Sequence, residues 1–248
     1  MKRRTRDRFA AVLCTLAWTA APLAAQSAIP LSSPGEPFTL EVHVAWGAID
    51  LRRSESELTW RAEDDEGRPA EVLAEERDNR VVLRQPPPDT FSSANLFVSV
   101  PPGGRVSIVV ERGGDVVARG LAADLEITNY NGSVDVLDHR GSAVVNATNG
   151  TIRADMVEPN ERPLLFSTLN GSAHVCLGGE PRREVLLSTR DDDILSDFTI
   201  ERRPPDRSLH AGEVLEGGAP LLHGTIGEGG PLLRVATANG DILLRRCR

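Results

Sequence analysis

Five histidines, three consecutive aspartates and two cysteines are the side chains beyond residue 26 best equipped for chemistry, and their spacing limits what they can do. His43, His139, His174, His210 and His223 are widely separated, and none belongs to an HExxH or comparable close-spaced pattern that would place two imidazoles on one ion. A shared metal at His139 and His174 would require the fold to bring them together, so structural or solvent-exposed roles are expected. Asp191, Asp192 and Asp193 offer carboxylates, but they lack the alternation of ligand positions that calcium loops use. An acidic surface turn is expected there. Cys176 and Cys247 have no partner in CxxC spacing; they form either one disulfide, tying the last strand to an internal coil, or two free thiols.

Nucleophilic and phosphate chemistry fare no better. There is no GxSxG elbow, and Ser142, Thr151 and Ser172 each follow a glycine, where a side-chain oxygen can serve a local backbone donor. The glycine clusters at 103–104, 217–218 and 227–230 lack the lysine and following hydroxyl of a phosphate loop. Asn131, Asn146, Asn149 and Asn170 match the glycan-acceptor pattern, but the repeat favours Asn-Gly before Ser or Thr for conformational reasons, and turn formation is the expected role. No catalytic, cofactor-binding or metal-binding residue is therefore nominated, and the chain is not expected to be an enzyme. The enzymatic alternative is a polysaccharide-active cleft with an acid and a base assembled from distant segments.

The elements that would position any site are very short strands. Residues 121–155 carry apolar runs at Leu125–Ile127, Val134–Val136 and Val144–Val145, separated by polar turns. A unit of threonine, at most two residues, then Asn-Gly recurs at Thr128, Thr148, Thr168 and Thr237, with a degenerate copy at 189–194. Asn and Gly tolerate the backbone conformations that bend a chain sharply. Asn131, Asn149 and Asn170 return at intervals of about twenty residues, which suits coils of a β-solenoid whose like strands stack in parallel. Val134, Val136, Val144, Ile152 and Ala154 would then point inward, and Asp135, Arg153 and His174 outward or to corners. Asn-Gly also closes two-residue hairpins, so an antiparallel meander or sandwich is the competing arrangement.

Residues 1–25 have a basic head, an apolar run and small residues before Gln26, the layout of a secretory signal peptide. The apolar run is too short for a permanent span, so no retained transmembrane helix is expected. The formal net charge is −8 and falls further once a basic leader is removed, which argues against nucleic acid as a partner. One tyrosine, three tryptophans and six phenylalanines suit a core filled by small aliphatic side chains.

Residues 38–46 alternate as a half-buried strand with Phe38, Leu40, Val42, Val44 and Trp46 on one face. Residues 47–57 read as a turn or an irregular helical turn, and 71–79 as strand or short helix. The prolines of 85–90 interrupt regular structure. The division expected is a leader at 1–25, an N-terminal β module or cap at 26–94 and a β-solenoid repeat domain at 95–248.

The segments 170–175, 224–231 and 239–244 resemble a bacterial family of putative adhesins with β-strand repeats. Its IGxGG and TxNGDI endings are matched by Ile226-Gly227-Glu228-Gly229-Gly230 and Thr237-Ala238-Asn239-Gly240-Asp241-Ile242. The resemblance covers about residues 95–245; insertions at 158–163 and 202–211, and the loss of Asn-Gly at 191–193, depart from the tidiest repeats. It implies an all-β fold, a right-handed parallel β-helix or related β-solenoid, in an exported protein. The function expected is non-catalytic and adhesion-like, in the periplasm or at the cell surface. Its partner would be a cell-envelope protein or polysaccharide, with a structural or stress-related envelope role as the alternative. Asp135, His139, Arg140, Arg153, His174 and Arg190 are the outward positions from which a contact surface would be drawn.

Overall fold

Alternation of buried and less buried residues along the strand builds most elements of the computed structural model, which describes residues 27–29, 31, 35–87, 92–158, 162–190, 192–204 and 221–247. The leader, Asp191, His210 and much of the interruptions at 85–90, 158–163 and 202–211 lie outside the described residues. After β1 (Ser27–Ile29), β2 (Thr39–Trp46) buries Leu40, Val42 and Val44, and Phe38 just before it is also buried. Trp46 is only partly buried, because the register shifts between Val44 and Trp46. In place of the irregular turn expected after it, Ile49 and Leu51 point inward from β3 (Ile49–Arg53). The ambiguous stretch 71–79 holds β5 (Leu73–Arg77). Asp78 and Asn79, at φ 53° and 59°, turn it into β6 (Arg80–Arg84).

The remaining strands are β4 (Leu58–Glu63), β7 (Asn95–Val100), β8 (Arg105–Gly113), β9 (Val116–Arg119), β10 (Asp124–Asn131), β11 (Val134–His139), β12 (Ala143–Asn149), β13 (Ile152–Met156), β14 (Leu164–Asn170) and β15 (Ala173–Leu177). They are followed by β16 (Arg183–Ser188), β17 (Ile194–Ser196), β18 (Glu201–Arg202), β19 (Leu221–Ile226), β20 (Leu232–Asn239) and β21 (Ile242–Arg246). The described residues contain no helix.

All strands belong to two mixed sheets, one of ten strands and one of eleven, and the interior of each sheet is parallel. The strands on either side of each Asn-Gly corner lie in different sheets, so these corners do not close hairpins. β10, β12, β14 and β20 stack in one sheet with Ile127, Val145, Phe166 and Val235 in register. β11, β13, β15 and β21 stack in the other with Val134, Ile152, Ala173 and Ile242 in register. Inward residues of both sheets form one buried apolar cluster that includes strands on both sides of residue 94. Val145 occupies the inward position expected of Val144, which is only partly buried on the outer face. The reason is that Ala143 opens β12, and the pleat then fixes 145 and 147 as its partners.

Antiparallel strands finish the sheets: β1 and β4 at one end of the first, β5 beside β6 and β18 beside β19 at the ends of the second. Edge pairing with other chains is discouraged because β1, β17 and β18 are very short and β5 exposes Glu75, Glu76 and Arg77. The chain does not stack in order at its end. β20 lies between β14 and β16, and β21 between β15 and β17, so the last two strands enter gaps left by earlier ones. A disulfide joins Cys176 on β15 to Cys247 just beyond β21, with 5.2 Å between Cα atoms.

Candidate functional site

The Asn-Gly corners form two parallel columns along the molecule. In the glycine column, Gly47, Gly114, Gly132, Gly150, Gly171 and Gly240 all have φ between 130° and 157°. A Cβ on Gly150 would stand 2.0 Å from the Gly132 carbonyl oxygen, and one on Gly171 would stand 2.2 Å from that of Gly150. Close approach of one corner to the next, more than bending itself, demands glycine here. Beside it, the Asn149 amide donates to Asn131 Oδ1, Asn170 to Asn149 and Asn239 to Asn170, each at 2.7 Å. These amides form a ladder of the kind that stacked identical strands favour.

The threonine hydroxyls that donate to the corner carbonyls share one position. Thr168 donates to the Gly150 carbonyl at 2.9 Å, Thr237 to that of Gly171 at 2.8 Å and Thr189 to that of Gly240 at 3.0 Å. Thr128 and Thr148 are not equivalents: Thr128 is exposed and in register with Asn146, while Asn129 and Ala147 take the buried position. Ala147 has no donor, and Asn129 compensates by donating to the carbonyls of both Gly114 and Gly132 at 3.0 Å. Asn129→Ala removes the donor from two partly buried carbonyls and is expected to cost about 2 kcal/mol. Adding Ala147→Thr to it restores a donor to Gly132 and recovers about 1 kcal/mol. Urea denaturation of the four members of this cycle measures both values; additive effects would contradict the compensation.

At 189–194 the degenerate copy keeps its threonine. Asp192, at the glycine position, accepts a hydrogen bond from the Gly240 amide, and Asp193 N donates to Asp241 at 3.1 Å. The acidic turn therefore completes a rung in which a carboxylate replaces a backbone carbonyl. Neither serine serves a local donor as the sequence suggests: Ser172 Oγ accepts from Asp241 N on the neighbouring coil at 3.2 Å, and Ser142 donates to the Asp124 carboxylate at 2.7 Å.

Of the outward positions, Arg153 and Arg190 are exposed and Asp135, Arg140 and His174 partly so. His139 is the exception. It is fully buried, Nε2 donates to the Ser142 carbonyl at 3.1 Å, and Nδ1 has no partner among the described residues. Burial lowers its pKa and keeps the ring neutral. The strand irregularity between Val136 and His139, with Asp138 at φ 52°, rotates the histidine inward and defeats simple alternation. His174 lies on the opposite side of the sheet from His139, and its pKa is lowered by partial burial and then by Arg153. His223 is buried between the Pro204 carbonyl (2.8 Å) and Glu184 (3.0 Å), so it latches β19 to β16.

Sequence periodicity does not single out an outward stripe with contact chemistry. Tyr130 is 53% exposed and Leu169 48% exposed, on strands β10 and β14 with Thr148 of β12 between them. Both flank the asparagine ladder. Two rungs separate them, about 10 Å at ordinary strand spacing. A flat ring, an aliphatic side chain and a row of amides and hydroxyls are thus held on rigid backbone.

No family model and no curated protein matches the chain. Its fold is similar to that of a putative cell adhesion protein from Clostridium sporogenes, over 92% of this chain and 100% of that one, with TM-score 0.51 and 12% sequence identity. A putative adhesin from Bacteroides fragilis aligns over 92% of this chain and 99% of its own with TM-score 0.37 and 8% identity. At these identities what is shared with the Clostridium sporogenes protein is the fold.

Proposed function

We propose that the chain is an exported, non-catalytic protein of the cell envelope with adhesion-like binding, built as a right-handed parallel β-helix. The leader-like residues 1–25, the alternation of successive strands between two sheets from β7 to β18 and the fold likeness to a putative cell adhesion protein support this reading. The observation that carries it is the stripe of Tyr130, Thr148 and Leu169 beside the asparagine ladder. A sugar ring packs on an aromatic face while amides and hydroxyls take its hydroxyl groups. A cell-envelope polysaccharide is therefore the partner favoured over a protein.

The test is retention of the mature protein on an envelope polysaccharide fraction. Tyr130→Ala with Leu169→Ser is expected to cut retention at least about fivefold, while outward substitutions of this kind change stability by under about 1 kcal/mol. Wild-type retention no greater than that of an inert exported control would contradict the proposal, and so would an undiminished double variant.

A further inference from the structure

The disulfide does not stand alone. Asp155 on β13 is in register with Cys176 on β15, so both project from the outer face of the same sheet. Cys247 reaches them from the end of β21, where its amide donates to the Leu177 carbonyl at 3.1 Å. One carboxylate oxygen and the two sulfurs all lie within 4.8 Å of one another. Asp155 is partly buried and has no hydrogen-bond or ion-pair partner among the described residues. The cations nearby are taken: Arg153 pairs with Asp135 at 3.3 Å, and Arg245, in register with Cys176, pairs with Asp197 at 2.7 Å. Burial and then the negative charges of Asp138 and Asp135 raise the Asp155 pKa. A carboxylate in such surroundings lacks the positive partner that would stabilise it.

We propose that Cys176, Cys247 and Asp155 form a redox-gated site for a thiolate-preferring divalent cation such as zinc. A dithiol reductant supplies two electrons and two protons, breaking the sulfur–sulfur bond to give two thiols as it closes its own disulfide. The cation displaces both thiol protons to solvent and takes a carboxylate oxygen from Asp155, with water filling the fourth tetrahedral position. The last strand is then held to β15 by a covalent bond under oxidising conditions and by a metal under reducing ones. This site is independent of the polysaccharide reading.

Cobalt titration of the mature protein tests it, with the chain reduced by a phosphine and desalted without oxygen. The reduced wild type is expected to bind one cobalt ion per chain and to show a thiolate-to-cobalt charge-transfer band with the visible bands of a tetrahedral site. The disulfide form shows neither. Asp155→Asn, which can still form the disulfide and can be checked for folding in that state, weakens cobalt binding about tenfold or more after reduction. Absence of the charge-transfer band in the folded, reduced wild type would overturn the proposal. Equal affinity in Asp155→Asn would also overturn it, as would an unchanged band in Cys176→Ser with Cys247→Ser.

Discussion

Gly150→Ala is expected to unfold the mature chain, or to lower its unfolding free energy by about 4 kcal/mol or more. The new Cβ would meet the Gly132 carbonyl oxygen at 2.0 Å, and that oxygen belongs to backbone fixed by corners on both sides. Relief requires parting two rungs, which loosens in-register pairing in both sheets at once. Gly67→Ala separates this clash from backbone strain alone. Gly67 has φ 76°, but a Cβ there would meet nothing within 4 Å, so its cost is expected to be only about 1–2 kcal/mol. Urea denaturation of the two variants, followed by circular dichroism, makes the comparison. Equal costs would mean that corner proximity contributes nothing.

Removal of the disulfide ranks next. Cys176 and Cys247 are 71 residues apart in sequence, and the loop they close contains β16–β21, including the inserted strands β20 and β21 themselves. Loop-closure entropy for that length sets the stabilisation at about 4 kcal/mol, with measured cases spreading over roughly 2–5. Cys176→Ser with Cys247→Ser is therefore expected to lower the denaturation midpoint strongly without changing the folded chain's sheet content. An unchanged midpoint would show that the end of the chain is held by strand pairing alone. Zinc added to the reduced wild type should recover part of the loss, linking this experiment to the proposed metal site.

Much of this architecture is legible because the pleat writes itself into the sequence. Leu40, Val42 and Val44 alternate, and Asn131, Asn149 and Asn170 mark corresponding corners. Sequence and structure part where one residue of offset reverses a side chain. Spacing alone puts Val144 inward in place of Val145, and it groups Thr128 and Thr148 with Thr168 and Thr237 although Asn129 and Ala147 are their structural counterparts. It also leaves His139 at the surface, because alternation cannot anticipate an irregularity beside a left-handed aspartate. The insertion of β20 and β21 between earlier strands has no local signal at all, since sequence order carries no mark of spatial order. For the same reason nothing in the sequence groups Asp155 with the cysteines. Tyr130 and Leu169 look like residues of unrelated repeats until rung spacing brings them onto one stripe.

The claim on which the account depends is that equivalent segments of successive repeats pair with each other, and nuclear Overhauser contacts between backbone protons test it directly. The contacts expected are those of parallel strands joining Val145 to Phe166 and Phe166 to Val235. Contacts that instead pair β12 with β13 as an antiparallel hairpin across Asn149 and Gly150 would contradict it.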